Sequence, residues 1–112
     1  MKWDYKEDES CCEIFVMNHV LSSKEISDSI QQTLNNGVKK VNKTKESIKM
    51  KFSNIASLCD DYNIPVLSKI SRLANYSRQN ETAFKSVIKK LKLSYPSFKC
   101  FVDVDGNILK NK

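Results

Sequence analysis

The chain of 112 residues, 40% hydrophobic and 29% charged, suits one compact domain with a single core and not two. Two glycines and two prolines are too few for the tight turns of an all-β sandwich, which leaves long, seldom-broken helices and a mainly α fold. The formal charge of +6 is segregated, with three Lys/Arg against seven Asp/Glu up to residue 38 and sixteen against six after it, so the second part suits an acidic partner: nucleic acid first, then an anionic membrane surface or an acidic protein.

Lys2 and Trp3 precede an acidic run, Asp4, Glu7, Asp8 and Glu9, and then an apolar block, Cys11, Cys12, Ile14, Phe15, Val16, Met17, Val20 and Leu21. This pattern predicts a first helix: the acids complement the positive end of its dipole, and Cys11 and Phe15, with Cys12 and Val16 beside them, form an i, i+4 core stripe. Trp3 is expected to fold back as a core plug, since a large aromatic gains most from burial; a protein-binding role is the alternative. Ser22-Ser23-Lys24-Glu25 fits a capping box and opens a second helix over residues 23–34. Its stripe, Ile26, Ile30 and Leu34, is thin, and Asn35-Asn36-Gly37 supplies a left-handed stop.

Residues 41–59 predict the third helix, with Thr44 as its N-cap. At 100° per residue, Ile48, Phe52, Ile55 and Cys59 share one stripe with Ala56 and Leu58 at its edges, while Glu46, Lys49, Met50, Ser53, Asn54 and Ser57 point away. Between Lys39 and Lys51 stand six lysines and one acid, at a helix N-terminus and its entry loop, where backbone amides already favour a phosphate. Lys39, Lys40, Lys43, Lys45 and Lys49 are therefore assigned to phosphates. Met50 and Asn54, with Glu46 and Ser53, are assigned to base edges. Lys51 turns back toward the core edge. The competing reading of this face is simple solvation.

Asn63-Ile64-Pro65 closes that helix, because proline disfavours helix in the residue before it. Val66, Leu67, Ile70 and Leu73 then fit either a short helix or an ordered loop over the third helix. Arg72 and Arg78, the only arginines, flank Asn75-Tyr76-Ser77 and suit bidentate phosphate or guanine contacts. Asn80 is expected to cap a fourth helix from residue 81 to 91 or 93, with Phe84, Val87, Ile88 and Leu91 inward and Lys85, Lys89, Lys90 and Lys92 outward. The tail, residues 95–109, alternates at period two around Asp105-Gly106 and predicts a small β-hairpin. The expected organisation is one domain over 1–112: a three-helix core in 1–62, a loop and fourth helix in 63–93, and a hairpin or tail in 94–112.

Chemistry is scarce. Cys11, Cys12, Cys59 and Cys100 lack zinc-ribbon or redox spacing, and His19 is the only histidine, so neither a metal nor a cofactor is expected. The thiols read as small core side chains in a reducing compartment. No Gly-rich phosphate loop, G-x-S-x-G turn or Cys/His pair is present, and no enzyme is expected. No apolar run approaches the roughly 18 residues of a membrane span, and the N-terminus has no signal-peptide core, which gives an intracellular, cytoplasmic expectation.

Trp3, the Glu7-Asp8 pair, an apolar first helix, a short second one and Thr44-x-x-Ser47-Ile48-x-x-Lys51-Phe52-x-Asn54-Ile55 resemble a divergent Myb/SANT-type three-helix module of the helix-turn-helix kind. More closely, residues 47–58, with Ser47-Ile48, Met50-Lys51, Asn54-Ile55-Ala56 and Leu58, followed by Asn75-Tyr76-Ser77-Arg78-Gln79-Asn80, are similar to a segment at the N-terminus of some bacterial restriction-type proteins, including some with HNH nuclease domains. The resemblance covers residues 1–92. It implies a third helix that enters the DNA major groove. The second and third tryptophans of Myb repeats are missing, and no nuclease domain follows in this sequence, so no catalysis is implied. The expected function is a non-catalytic module for double-stranded DNA. The alternative is a SANT-type protein-interaction module associated with a restriction or phage-defence system, and RNA binding is a third reading.

Overall fold

Asp4 opens the first helix, α1 (Tyr5–His19), with a reciprocal capping box: its carboxylate accepts from the Glu7 N–H at 2.7 Å, and Glu7 Oε1 accepts from the Asp4 N–H at 3.2 Å. Thr44 caps α2 (Lys45–Asp61) by accepting from the Ser47 N–H at 3.1 Å. Asn63, at φ 59°, turns the chain left-handed after α2, and the Ile64 N–H donates to the Cys59 carbonyl at 2.8 Å. The computed structural model describes residues 3–20, 41, 43–67, 69–94, 98 and 100–110. The helix expected over residues 23–34 lies outside them, so of the three-helix core expected in residues 1–62 the described residues supply two helices.

The helix expected from residue 81 is α3 (Arg78–Ser94), the third and last helix among the described residues, and it begins earlier than expected. Asn80 is not its cap. Ser77 Oγ accepts from the Asn80 N–H at 3.0 Å and takes that role, because the Asn80 side chain is fully buried and turned to α1. The described residues between 64 and 77 form a loop and not a short helix. Leu67 N–H donates to the His19 carbonyl at 2.7 Å and Leu73 N–H to the Ser53 carbonyl at 3.2 Å, which straps the loop to α1 and across α2.

The core lies between the three helices. Phe15 and Val16 from α1, Ile55 and Leu58 from α2, and Phe84, Val87 and Ile88 from α3 are all fully buried. Phe15 stacks against Phe52 and His19, so the only histidine is an aromatic packing partner, and burial holds its imidazole below the ordinary value. No strand is present among the described residues. The expected hairpin is reduced to a turn closed by one antiparallel bridge, Val102 with Ile108. The turn itself holds: Gly106 sits at φ 84°, and Asp103 Oδ1 accepts from the Asp105 and Asn107 N–H groups at 2.9 and 3.0 Å. Pairing stops because the alternation does not make a buried face: Ile108 is covered, but Phe101, Val102, Val104 and Leu109 are exposed.

Cys11, Cys12 and Cys59 are buried, as small core side chains should be. Burial pushes the Cys11 and Cys59 thiols up to about 12 from 9.0. A thiol that holds its proton more tightly when folded stabilises the fold fully below its unfolded value and loses that contribution as pH rises toward the folded one. The melting temperature is therefore expected to fall steadily as pH climbs from 9.0 toward about 12, and a flat profile in thermal circular dichroism would contradict the burial of these thiols.

Candidate nucleic-acid interface

Two of the lysines in the basic run face inward. Lys43 Nζ lies 2.6 Å from Glu7 Oε1, and Lys51 Nζ lies 3.0 Å from Asp8 Oδ1. All four side chains are nearly or wholly buried. The Trp3 ring completes the arrangement, with Lys43 Nζ 5.3 Å and Lys51 Nζ 4.7 Å from its centroid. From α3, Gln79 Nε2 donates to Asp8 Oδ2 at 2.7 Å and to the Trp3 carbonyl at 2.8 Å, and Asn80 Nδ2 donates to Asp8 Oδ1 at 3.4 Å. The Asp8 carboxylate of α1 is thus held from both other helices, which is what a buried charge requires.

The assignment of Lys43 to a phosphate is corrected by this geometry: its ammonium is engaged by Glu7 and covered. Lys39 and Lys40 lie outside the described residues. Lys45 and Lys49 are exposed on the first turns of α2, with no acid holding either among the described residues, and Glu46 and Met50 stand beside them. Met50 is 58% exposed, a long apolar side chain left in solvent at the middle of this face.

Toward its C-terminal half the same face is covered. Ser53 Oγ lies 3.1 Å from Ser71 Oγ, and Ser53 also receives the loop's backbone bond from Leu73. Ser57, expected to point outward, is buried. Asn54 is half-buried, and its Oδ1 is enclosed without a hydrogen-bond partner. Ser53 and Asn54 are therefore not presented as base-reading side chains. Arg72 is taken up by Asp60, at 2.6 Å, and by the Ile70 carbonyl, whereas Arg78 is exposed on the first turn of α3. Among the described residues, no hydrogen bond or ion pair joins the two arginines to the lysines of α2.

What remains is a short presenting surface: Lys45, Glu46, Lys49 and Met50 on the first two turns of α2, anchored from below by Lys43–Glu7 and Lys51–Asp8. It offers two cations, one acceptor and one apolar contact. No family model, curated protein or solved structure matches this chain. Among the described residues, no group of three or more His, Cys, Asp or Glu side chains could hold a metal ion, and no helix is long and apolar enough to cross a membrane.

The residues missed from sequence are Asp8, Gln79 and Asn80. A signal for two of them was present. Asp8 stands one turn before Cys11 and Cys12 on the stripe that leads to Phe15, and Asn80 one turn before Ala83 and Phe84 on the stripe that leads to Val87. A polar side chain in register with a core stripe is a buried one.

Proposed function

We propose that the protein is a non-catalytic module that binds double-stranded DNA in the manner of helix-turn-helix and Myb-like proteins, with the N-terminal half of α2 entering the major groove. The observation that carries this reading is the bare first half of α2 above a rigid, charge-neutralised base. In helix-turn-helix proteins it is the N-terminal residues of the reading helix that meet base edges, and Lys45, Glu46, Lys49 and Met50 are the ones left open. Lys45 and Lys49 suit phosphates or guanine, Glu46 suits the cytosine amino group, and Met50 suits a thymine methyl. The acids Glu7 and Asp8 of α1, which would repel a phosphate backbone from the surface, are instead buried against Lys43 and Lys51.

The test is a salt titration of binding to random duplex DNA with the whole chain. Binding should weaken steeply as salt rises, and undetectable affinity at about 50 mM salt would overturn the reading. One observation favours protein interaction of the SANT type instead: the loop crosses the second half of α2 and leaves Leu67 exposed beside an open hollow lined by Val66, Lys69, Ile70 and Arg72. A protein of that kind would show no salt-dependent duplex affinity and would lose its partner on Leu67→Ser.

A further inference from the structure

We propose that Tyr62, Tyr76 and Glu81, at the C-terminal end of α2 and the first turns of α3, form a binding site for an alkylammonium group, the side chain of a lysine, and that Lys110 of this chain is its resident occupant. Lys110 Nζ lies 5.9 Å from the Tyr62 ring centroid, 5.8 Å from that of Tyr76, and 3.2 Å from Glu81 Oε2. Two aromatic faces and a carboxylate around one cation are the components that recognise ammonium ligands.

Each ring has a carboxylate partner besides the lysine: Tyr62 Oη donates to Glu81 Oε2 at 2.6 Å, and Tyr76 Oη, which Lys110 also reaches, donates to Asp61 Oδ2. Asp61 and Tyr62 come from the end of α2, Tyr76 from the loop and Glu81 from α3, all elements placed by the core. Burial and the bond to Glu81 push the Tyr62 hydroxyl above its ordinary value, so it remains a donor. Burial works to raise Glu81, but the hydrogen bonds from Tyr62 and Lys110 win and hold it below the carboxylate range, so it remains charged. Lys85 also faces Glu81, and Asp61 faces both tyrosines. In a chain of net charge +6, Glu81 and Asp61 set a local pair of acids against the two rings, and Glu81 alone meets the ammonium.

The occupant is the loosely held part. Lys110 is 51% exposed and follows the single bridge that closes the tail's turn. An intramolecular ligand of this kind acts as a tethered competitor, set by effective concentration, and a lysine offered by another chain can take its place. Because Glu81 accepts a hydrogen bond from the cation, the preferred ligand keeps at least one N–H. This site is independent of the DNA-binding reading and stands or falls without it.

The experiment is a titration of the whole chain, natural and as Lys110→Ala, with Nα-acetyl-lysine methylamide, followed through the ring protons of Tyr62 and Tyr76 by NMR. Saturable shifts are expected in Lys110→Ala, with apparent affinity about tenfold weaker in the natural chain. Glu81→Gln in the Lys110→Ala background, which keeps a partner for Tyr62 and removes the charge, should abolish them, and the norleucine analogue should give none. Absence of saturable shifts in Lys110→Ala, equal response to norleucine, or affinity indifferent to Lys110 or to Glu81→Gln overturns the proposal. Lys110→Gln, at the same exposed position, repeats the measurement if the alanine variant is poorly folded.

Discussion

Lys51→Ala is expected to lower the stability of the fold by about 3–5 kcal/mol, the range for breaking a buried ion pair by removing one partner. The magnitude follows from what is left behind. Asp8 is wholly buried between α1, α2 and α3, with the Lys51 ammonium 3.0 Å away and only neutral amides, Gln79 and Asn80, as its other partners. Without the lysine those amides cannot neutralise it. The carboxylate is then an uncompensated buried charge that must draw in water or open the junction. The pair as such is not the stabiliser, since replacing both members with apolar side chains of similar volume is often neutral. Because Gln79 and Asn80 still need an acceptor there, Asp8→Asn combined with Lys51→Met, which removes both charges and keeps a side-chain oxygen, should recover most of the loss. Urea unfolding of the natural chain, Lys51→Ala and the double variant checks it, and a cost for Lys51→Ala under about 1 kcal/mol, the range of an exposed ion pair, would show that the pair is not buried.

Replacing Lys45 and Lys49 together with alanine is expected to weaken duplex DNA binding by roughly one to two orders of magnitude near 0.1 M salt and to lower the salt slope by about 1.8, with melting temperature little changed. Lys43→Ala is expected to do the reverse. Its ammonium is held by Glu7, so its loss destabilises the entry to α2 and leaves the salt slope as it was. Running the two side by side separates a phosphate contact from a support. If the double variant keeps full affinity while the natural chain binds in a salt-dependent way, DNA meets another face, and the outer lysines of α3, Lys85 and Lys90, become the next to test.

The three described helices were legible from periodicity, and the start of α1 and both ends of α2 from local chemistry: the first-turn acids of α1, Thr44 before α2, and Asn63-Ile64-Pro65 after it; the start of α3 was not, because Ser77 caps it and Asn80 is turned into the core. The outward face of α2 was only half legible. Angle around a helix places Ser53 and Ser57 outside with Lys49, but angle says nothing of what a later segment lays on top, and the loop from 64 to 77 covers the second half. Charge misled in the same way. Lys43 counts toward a basic surface because lysine is almost always solvated, and only Glu7 on the inward side of α1 reverses that, whereas the angle of Lys51 already turns it to the core edge, where it is buried. Glu7 and Asp8 read as dipole partners, yet Asp8 shares a stripe with Cys12 and Phe15. Tail alternation predicted strand pairing, but alternation has force only where one face is buried, and here Phe101, Val104 and Leu109 have nothing to cover them.

Trp3 carries a practical consequence. It is the single tryptophan of the chain, and its indole is seated against the two ammonium groups that root α2 to α1. Indole emission shifts with nearby charge and water, so selective excitation of this ring observes the opening of that junction with no label attached. The four tyrosines, Tyr62 and Tyr76 of the ammonium site among them, are silent at the red edge of the indole band, so a ligand that shifts the Trp3 emission reports on the N-terminal end of α2 before any residue is changed.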